Sequence, residues 1–485
     1  MPQEHMNDII VILPGFLGST LQKHGKDVWG ASFATLSITL RKALLNRELL
    51  LVGDDPTVDD LGDGIRAVGL MSDITMIPKL WKVEGYSTLW KFLTETFDVV
   101  PGVVNTPNPH ANLFAFPYDW RRDNCVAARW LKQFIDRHLP LWRDHSGQAD
   151  AKVILIGHSM GGLVARHYLE VLGGWEYCRA LFTLGTPHRG SIDALDYLSN
   201  GHHVVRADVS NAVRSFTSTY QVLPNYRMIE QGNDYVRVAE MSSIHGVVQE
   251  RAQQAFDFHK DITNAAKARR SVESTRDAYI TFPIVGIQQE TFQSATVVDG
   301  KIVPSTNMPA TLHAFPSHGD GTVPYISAIP AELAEEYREM FIVEKHGFLQ
   351  SRDDVLEQLR QHIVRTQVPR WDAILGPSDK TKTPLLPAIS LTLEDLYCTD
   401  EQIEVRAKVL DTPEHLGALE AQITSLNQPN QPSTYPLQET DDGWRLTLED
   451  QPTGLYRIRV QPSHRGPQSP TAVHDVFEVI DRTEV

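Results

Sequence analysis

The stretch from Ala151 to Arg166, AKVILIGHSMGGLVAR, predicts the fold of most of the chain. Its apolar run Val153–Ile156 is typical of a central parallel strand that is buried on both faces. The glycines around Ser159 permit a very tight turn with the serine at its tip, and a helical pattern follows. This is the G-x-S-x-G pattern of a nucleophile elbow, in which a strained turn exposes a serine above the sheet. The alternative is a glycine-rich structural turn without chemistry.

Length and charge exclude several classes of protein. The 485 residues exceed one ordinary core and predict two or three units. The formal net charge of -16 argues against a nucleic-acid partner and against docking on an anionic membrane through a basic face. It does not argue against a lipid substrate.

The cysteines and the first residues bear on the compartment. The 3 cysteines have no metal-ligand spacing and are odd in number, so we expect neither a metal site nor a disulfide framework. The segment Met1–Met6 lacks the basic and apolar regions of a signal peptide. These features predict a cytoplasmic protein that uses no metal and no organic cofactor.

A second apolar strand, Ile9–Leu13, runs into the loop Pro14–Ser19 (PGFLGS). In this architecture one half of an oxyanion hole comes from a loop after an early strand, and the other half from the residue after the nucleophile. We therefore assign the two backbone N–H donors to Phe16 and Met160. The alternative is that the loop is only a connection.

Three residues that are far apart in the chain follow the serine, acid, histidine order of α/β-hydrolases, namely Ser159, Asp320 and His346. Each lies at the predicted C-terminal end of a strand, so a parallel sheet would bring all three to one edge. His346 would take the serine proton, and Asp320 would fix the imidazole tautomer and stabilise the imidazolium.

Other residues compete for these roles. His188 and His318 are alternative bases, although His188 lies in a proline-containing turn and His318 is only two residues from Asp320. Asp353 and Asp354 are alternative acids, but they follow His346 and break the usual order. Asp320 in its glycine loop has a turn-forming or calcium-binding alternative.

The segment PYDWRR at 117–122 ends another strand, at the edge where α/β enzymes place their sites. Asp119 and Arg121 are therefore candidate site residues. A catalytic role is one alternative, and a buried Asp–Arg pair that supports the site by clamping loops is the favoured interpretation. Asp123 is a predicted N-cap for a helix that continues to about His138.

Two insertions and a second domain complete the organisation. Residues 1–368 form the predicted α/β-hydrolase domain, with insertions at about 25–82 and 191–278. The first insertion is either a lid for acyl chains or a set of helices packed on the sheet, and the second is a cap. Residues 369–385 are a predicted linker. Short alternating strands in 386–485 predict an immunoglobulin or fibronectin-like β-sandwich, whose partner the sequence does not identify.

Four motifs together resemble the lecithin:cholesterol acyltransferase and lysosomal phospholipase family, in the same order along the chain. They are PGFLGS at 14–19, PYDWR at 117–121, GHSMGG at 157–162 and GDGTV at 319–323. The second of these is the discriminating one. The resemblance implies an α/β-hydrolase fold and acyl hydrolysis or transfer on glycerolipids, with the catalytic and oxyanion residues named above. Animal members carry a disulfide-bounded lid, which Cys125 and Cys178 do not predict here.

Three functions follow as hypotheses. The first is a serine acyl hydrolase or acyltransferase on lipid esters, most specifically glycerophospholipids, with transient membrane contact. The second is an esterase or amidase on a soluble substrate, which needs the same triad and a different pocket. The third is a catalytically silent scaffold that binds partners through the β-sandwich.

Overall fold

A computed structural model of the chain describes residues 2–30, 48–72, 75–77, 81–204, 207–312, 316–333, 340–367, 387–411, 417–464, 466 and 469–481. The predicted linker 369–385 and part of the insertion 25–82 therefore lie outside the described residues. Within the described ranges, no helix combines the length and apolarity needed to cross a bilayer.

A seven-stranded sheet, parallel throughout, forms the centre of the molecule. Its strands in chain order are β1 (Ile9–Leu13), β2 (Pro101–Gly102), β3 (Leu113–Ala115), β4 (Val153–His158), β5 (Cys178–Leu184), β6 (Ile280–Gly286) and β7 (Met340–Ile342). Their spatial order is β7-β6-β5-β4-β1-β3-β2. Strands β1 and β4 are buried at every residue, as apolar strands in a sheet covered on both faces must be. The predicted α/β-hydrolase fold is confirmed.

Helices connect the parallel strands, since parallel neighbours need long crossovers. The longer ones are α1 (Ser87–Thr96), α2 (Asn124–Ser146), α3 (Met160–Arg166), α4 (Ile192–Asn200), α5 (Gln249–Arg270) and α6 (Asp353–Thr366), and the shorter ones are Ser210–Ser215, Thr217–Gln221 and Glu273–Arg276. A π-helical turn, His167–Val171, continues α3.

Helix α2 begins as predicted and ends later than predicted. The Asp123 carboxylate accepts a hydrogen bond from the Cys125 amide at 2.7 Å, as an N-cap does. The helix passes His138 and contains Pro140, and it stops only at Gly147, whose φ of 71° is left-handed. The glycine stops the helix because it adopts this conformation without strain, whereas the proline removes a single N–H donor.

The described part of the insertion 25–82 consists of short strands and loops and contains no helix, so the helical alternative is wrong there. Strands Lys26–Trp29 and Ile65–Leu70 pair on either side of Ser19–Lys23, and Thr75–Ile77 pairs with Trp81–Val83. The central strand of this sheet precedes the insertion, so the insertion's own sequence does not reveal the pairing.

The second insertion is mainly helical, as expected of a cap. It contains α4, α5 and the three shorter helices, together with the short strands His203–Val204, Ala207–Asp208, Ile229–Gln231 and Asp234–Val236. The predicted hairpin that follows β6 is present as Ser294–Val298 and Lys301–Ser305. It contributes to the same small sheet as the cap strands.

Two sheets form the C-terminal β-sandwich. One sheet orders Ala388–Thr392, Ile403–Leu410, Gly443–Leu448 and Gln438–Thr440, and the other Leu396–Cys398, Val473–Ile480, Gly454–Pro462, Leu419–Ser425 and Ser433–Pro436. The strands therefore alternate between the two sheets along the chain in the immunoglobulin-like manner. Ala388–Thr392, Ile403–Leu410 and Gly443–Leu448 share one sheet, and Leu419–Ser425, Gly454–Pro462 and Val473–Ile480 share the other. The sandwich core is continuous with Val285, Ile287 and Val343 of the hydrolase domain.

Candidate active site

The turn between β4 and α3 holds Ser159 in a strained conformation. Its φ is 50° and its ψ is -124°, which a residue with a side chain rarely adopts. A Cβ at Gly157 would lie 2.7 Å from the backbone of Gly162, and one at Gly161 would lie 2.5 Å from the carbonyl oxygens of Leu13 and Pro14. Close backbone crossings therefore explain the glycines on both sides of the serine.

The structure brings Ser159, His346 and Asp320 together in one hydrogen-bonded chain. The Nε2 atom of His346 lies 2.9 Å from the serine Oγ, and its Nδ1 lies 2.7 Å from Asp320 Oδ2. The relative exposures of the three residues are 5%, 4% and 1% in that order, so water has little access to the hydrogen bonds. The arrangement has the geometry of a nucleophile, a general base and an orienting carboxylate.

Backbone groups orient the carboxylate of Asp320. Its Oδ1 accepts hydrogen bonds from the amides of Thr322 at 3.0 Å and Val323 at 2.7 Å, which leaves Oδ2 directed at the histidine. Gly185 packs against this pair, because a Cβ there would lie 2.8 Å from His346 Nδ1 and 2.9 Å from Asp320 Oδ2. The turn after β5 therefore leaves space for the acid and the base.

Asp320 reaches the sheet edge by a different route from the one predicted. It does not directly follow a strand of the main sheet, because the hairpin 294–305 is inserted after β6. The chain then returns, and Gly319 exchanges backbone hydrogen bonds of 3.0 and 3.2 Å with Gln289, just beyond the end of β6. Tertiary pairing, not a preceding strand, places the acid.

The loop after β1 is held by the aromatic residues of the PYDWR motif. The Tyr118 hydroxyl donates to the Pro14 carbonyl at 2.7 Å, and the Trp120 indole N–H donates to the Ser19 carbonyl at 3.1 Å. Phe16 lies between these anchors, with its ring 5.4 Å from that of Trp120. Sequence reasoning missed both anchors, although buried aromatic residues with a polar atom commonly bind a nearby backbone group.

The two predicted oxyanion donors lie at the start of α3 and in the loop after β1. Met160 is the first residue of α3 and is fully buried, so its amide belongs to the N-terminal N–H groups that have no partner within the helix. Phe16 lies in the loop that begins at Pro14, and the carbonyls of Pro14 and of Leu13 at the end of β1 contact Gly161. The loop and the elbow are therefore in direct contact.

Asp119 and Arg121 form a clamp beside the site. The fully buried guanidinium donates to Asp119 Oδ2 at 2.6 Å and to Asp63 Oδ2 at 2.8 Å, which ties the motif to the insertion 25–82. Burial opposes the charge of Arg121, but the carboxylates of Asp119 and Asp63 outweigh it and raise the pKa of Arg121. Their contacts support the loop-clamping interpretation and not a role at the serine.

The alternative bases lie in other environments. The Nε2 atom of His188 is 3.4 Å from Thr183 Oγ1, and the Nδ1 atom of His318 accepts from the Gln288 amide at 3.1 Å. Burial lowers the pKa of both histidines. Of the alternative acids, Asp354 pairs with Arg352 at 2.7 Å.

The β-sandwich contacts both loops that carry the acid and the base. Lys345, which precedes His346, forms an ion pair with Asp475 of the sandwich. The fully buried carboxylate of Glu344 accepts from the backbone N–H of His474 at 3.1 Å and pairs with its Nδ1 at 2.8 Å. The sequence contains no local signal for these contacts.

A second set of bonds joins the acid loop to the first sandwich sheet. The side chain of Gln289, which pairs with the acid loop, donates to the Ile389 carbonyl at 3.0 Å and accepts from the Leu391 amide at 3.2 Å. A cavity of about 440 Å³ lies at the junction of the sandwich, the cap and the pair Asp320 and His346.

Neither a metal site nor a disulfide is present among the described residues, where no three His, Cys, Asp or Glu side chains converge as metal ligands do. Cys125, Cys178 and Cys398 are not joined in disulfides. Cys125 Sγ lies 3.3 Å from His167 Nε2, and burial raises the pKa of this thiol above its ordinary value.

The solved structures that a structural comparison matches to this chain include two forms of one lipase. The lipase BlEst2 of Bacillus licheniformis in its propeptide form is 11% identical, with a TM-score of 0.34, and the match covers 98% of this chain and 95% of that one. Its mature form is 12% identical, with a TM-score of 0.30, and covers 75% and 93%. The CARDB domain of the PF1109 protein from Pyrococcus furiosus, solved with di-metal ions, is 12% identical over 21% of this chain and 100% of that one, with a TM-score of 0.15.

A comparison with curated proteins finds no match. A comparison with models of protein families finds one. The model described as lecithin:cholesterol acyltransferase matches residues 25–328, which is more than half of the chain. The matched range includes Ser159 and Asp320 and ends before His346. The chain belongs to the lecithin:cholesterol acyltransferase family.

Proposed function

We propose that this protein is a serine acyl hydrolase or acyltransferase that acts on glycerophospholipid esters through an acyl-enzyme on Ser159. The observation that carries the proposal is the hydrogen-bonded chain from Ser159 through His346 to Asp320, at 2.9 and 2.7 Å. The backbone of Ser159 also has a positive φ, a conformation that proteins retain mainly where function requires it.

The first half-reaction follows from the tautomer of His346. Hydrogen bonding of Nδ1 to the Asp320 carboxylate places the imidazole proton there and leaves the Nε2 lone pair facing Ser159. As Oγ attacks the ester carbonyl carbon, Nε2 takes the hydroxyl proton. The amides of Phe16 and Met160 bind the developing oxyanion, and one such donor is worth about 3 kcal/mol.

The imidazolium gives its proton to the leaving alcohol, which departs and leaves an acyl group on Oγ, and this completes the first half-reaction. The second half-reaction regenerates the serine. His346 takes a proton from water or from an acceptor alcohol as that oxygen attacks the acyl carbon, and the imidazolium then returns the proton to Oγ as the bond between the acyl carbon and Oγ breaks. Water gives hydrolysis and an alcohol gives transfer, so the acceptor site decides between the two reactions.

A partly exposed aromatic ring on the oxyanion loop supports a lipid substrate. The half-buried ring of Phe16 packs on the buried rings of Trp120 and Phe216, 5.4 and 6.3 Å away, so an acyl chain at this loop would meet the ring of Phe16. The described part of the insertion 25–82 also exposes Val52, at 88%, and Val68, at 49%. We propose that this face makes transient membrane contact, which suits a protein whose charge opposes attraction to anionic lipid.

A fluorophosphonate probe tests the chemistry. We expect it to label the wild-type protein and the variant S463A, which changes a half-buried serine of the sandwich, and to leave S159A unlabelled. Equal labelling of the wild type and S159A, or none of the wild type, would contradict the mechanism and favour a binding scaffold.

A mixed lipid extract tests the substrate class. Mass spectrometry of the extract after incubation should show loss of glycerophospholipids, with the appearance of lysophospholipids and of free fatty acids or new acyl esters. Turnover of short soluble esters without consumption of any lipid would contradict the lipid assignment while leaving the serine chemistry intact.

A further inference from the structure

The hydroxyl of Tyr86 connects the loop after β1 with the nucleophile elbow. Tyr86 immediately precedes α1 and is 2% exposed. The Gly15 amide lies 2.8 Å from its Oη, and Oη lies 2.9 Å from Nδ1 of His158, the residue before the serine. The Nε2 atom of His158 lies in turn 3.2 Å from the backbone carbonyl oxygen of His346.

The two end groups of this series of hydrogen bonds set the direction of every bond in it. The Gly15 amide can only donate, and the His346 carbonyl can only accept. His158 therefore carries its proton on Nε2 and accepts at Nδ1 from the Tyr86 hydroxyl, which itself accepts from Gly15. Burial and then the proximity of His346 lower the pKa of His158 to about 3, and burial raises the pKa of Tyr86, so both side chains stay neutral at ordinary pH.

Packing holds the hydroxyl at this position. A Cβ at Gly18 would lie 2.9 Å from the Tyr86 Oη, so the loop is in close contact with it. The Tyr86 ring meets the His158 ring edge-on, with centroids 5.8 Å apart, and its backbone N–H donates to the Met71 carbonyl at 2.9 Å. The tyrosine therefore has a fixed position with contacts on both sides.

We propose that Tyr86 is a positioning residue that sets the spacing of the oxyanion loop, the serine and the base through His158. The inference rests on the proposed function. Tyr86 is 71 residues from Gly15 of the loop and 72 from His158 of the elbow, and His158 is 188 residues from His346. Each of the three segments extends beyond the strand that anchors it. A displacement of about 1 Å between reacting groups can cost about 100-fold in rate, so a shared hydrogen-bonded link matters for catalysis.

The variant Y86F tests the role, because it keeps the ring and removes the hydroxyl. Gly15 N–H and His158 Nδ1 then lose their partner, and we expect kcat to fall by about tenfold with KM within about twofold. Titration with a fluorophosphonate should still count a full complement of reactive serines, each of which reacts about tenfold more slowly. A merely structural role would instead reduce the number of titratable sites and leave turnover per site unchanged.

Two further variants make the result decisive. Y456F removes a tyrosine hydroxyl that donates to the Pro452 carbonyl at 2.7 Å within the sandwich, and it should keep wild-type turnover. The double variant Y86F/H158F should lose no more activity than the more damaging single variant, because both changes break one chain. Wild-type turnover per site in Y86F, or additive losses in the double variant, would overturn the positioning role. Failure of the probe to label the wild type would contradict the proposed function itself, and the positioning role with it.

Discussion

Asp475 of the β-sandwich and Lys345 of the hydrolase domain form an ion pair directly beside the residue that serves as base in the proposed mechanism. The same carboxylate accepts from Lys82 at 2.8 Å and is fully buried. Burial alone would raise the pKa of Asp475, but Lys345 and Lys82 outweigh it and lower that pKa. The sandwich is thus joined by buried charges to the segment that ends in His346.

Removal of this charge should destabilise the protein. In D475N, two lysines that are only 20% and 17% exposed lose their shared carboxylate, so the free energy of unfolding should fall by about 3 kcal/mol. Denaturant unfolding measures the change. The control is D442N, which alters an exposed aspartate in a turn of the same domain and should stay within about 0.5 kcal/mol of wild type. Equal stability of the two variants would contradict the buried ion pair.

The three triad residues should behave as one unit. The variants S159A and H346Q should each lose about 10⁵-fold or more in kcat, and the double variant should lose little more, because either change removes the activated nucleophile. D320N should lose about 10⁴-fold because an amide favours the wrong imidazole tautomer. Turnover of a chromogenic ester measures all four. D353N, at an exposed alternative acid, is the control and should be fully active, whereas additive losses would argue against a shared mechanism.

A methyl group at Gly185 should disrupt the acid and base pair. The variant G185A places a Cβ 2.8 Å from His346 Nδ1, so kcat should fall by about 100-fold. G173A is a matched control, because Gly173 has a φ of 73° against 56° at Gly185 but has nothing within 4 Å of the added Cβ. Both variants carry similar backbone strain, and only the first should lose activity. An equal loss in both would point to strain instead of displacement.

Acid should destabilise the fold through its buried histidines. Burial, as the largest cause, lowers the pKa of His158 to about 3 and the pKa values of His167 and His259 to about 4. In the unfolded chain these groups bind protons below about pH 6.5. Above pH 6.5 these histidines are neutral in both states, so their contribution to the free energy of unfolding is complete. As the pH falls toward 4, only the unfolded chain binds the protons, and the free energy of unfolding decreases by about 1 kcal/mol per histidine between pH 6.5 and 5.5.

Urea unfolding at pH 6.5 and 5.5 measures this loss. In H259Q the difference between the two pH values should shrink by about 1 kcal/mol, since one buried neutral histidine is absent. H464Q, at an exposed histidine of the sandwich, should keep the wild-type difference. A wild-type free energy of unfolding that does not change between the two pH values would contradict the prediction.

Exposed apolar residues of the first insertion should matter only at a lipid surface. V52D places a charge on a residue that is 88% exposed, so turnover of phospholipid vesicles should fall several-fold while turnover of a soluble ester stays unchanged. V298D changes a residue that is 54% exposed in the hairpin after β6 and should alter neither rate. Equal vesicle turnover in V52D and wild type would exclude this face as the membrane contact.

The elements that were predictable share a local signal. The apolar runs Ile9–Leu13 and Val153–Ile156 predicted two central strands, because a parallel sheet covered on both faces selects continuous apolar sequence. The capping aspartate at 123 predicted the start of α2 for a similar reason, since an N-cap bonds an amide only two residues away. The end of that helix was misplaced because Pro140 weakened the pattern without breaking the helix.

The less predictable parts of the site depend on contacts between distant segments. Nothing near Tyr118, Trp120 or Tyr86 in sequence indicates that their polar atoms bind the loop after β1, 71 to 104 residues away. Two strands of the insertion 25–82, Lys26–Trp29 and Ile65–Leu70, were missed because they pair with Ser19–Lys23, which lies outside it. The role of the sandwich was likewise open in the sequence, because Asp475 meets Lys345 across 130 residues.

By itself, the sequence determined the hydrolase fold, the family and the order of Ser159, Asp320 and His346 along the chain. Only the tertiary structure decided how the acid returns to the sheet edge beside Gln289, and which buried tyrosines and ion pairs hold the loops around the serine. The physical reason is range. Strand burial, turn geometry and capping act between residues that are close in sequence, whereas a hydrogen bond between loops exists only after the sheet has brought their strands together.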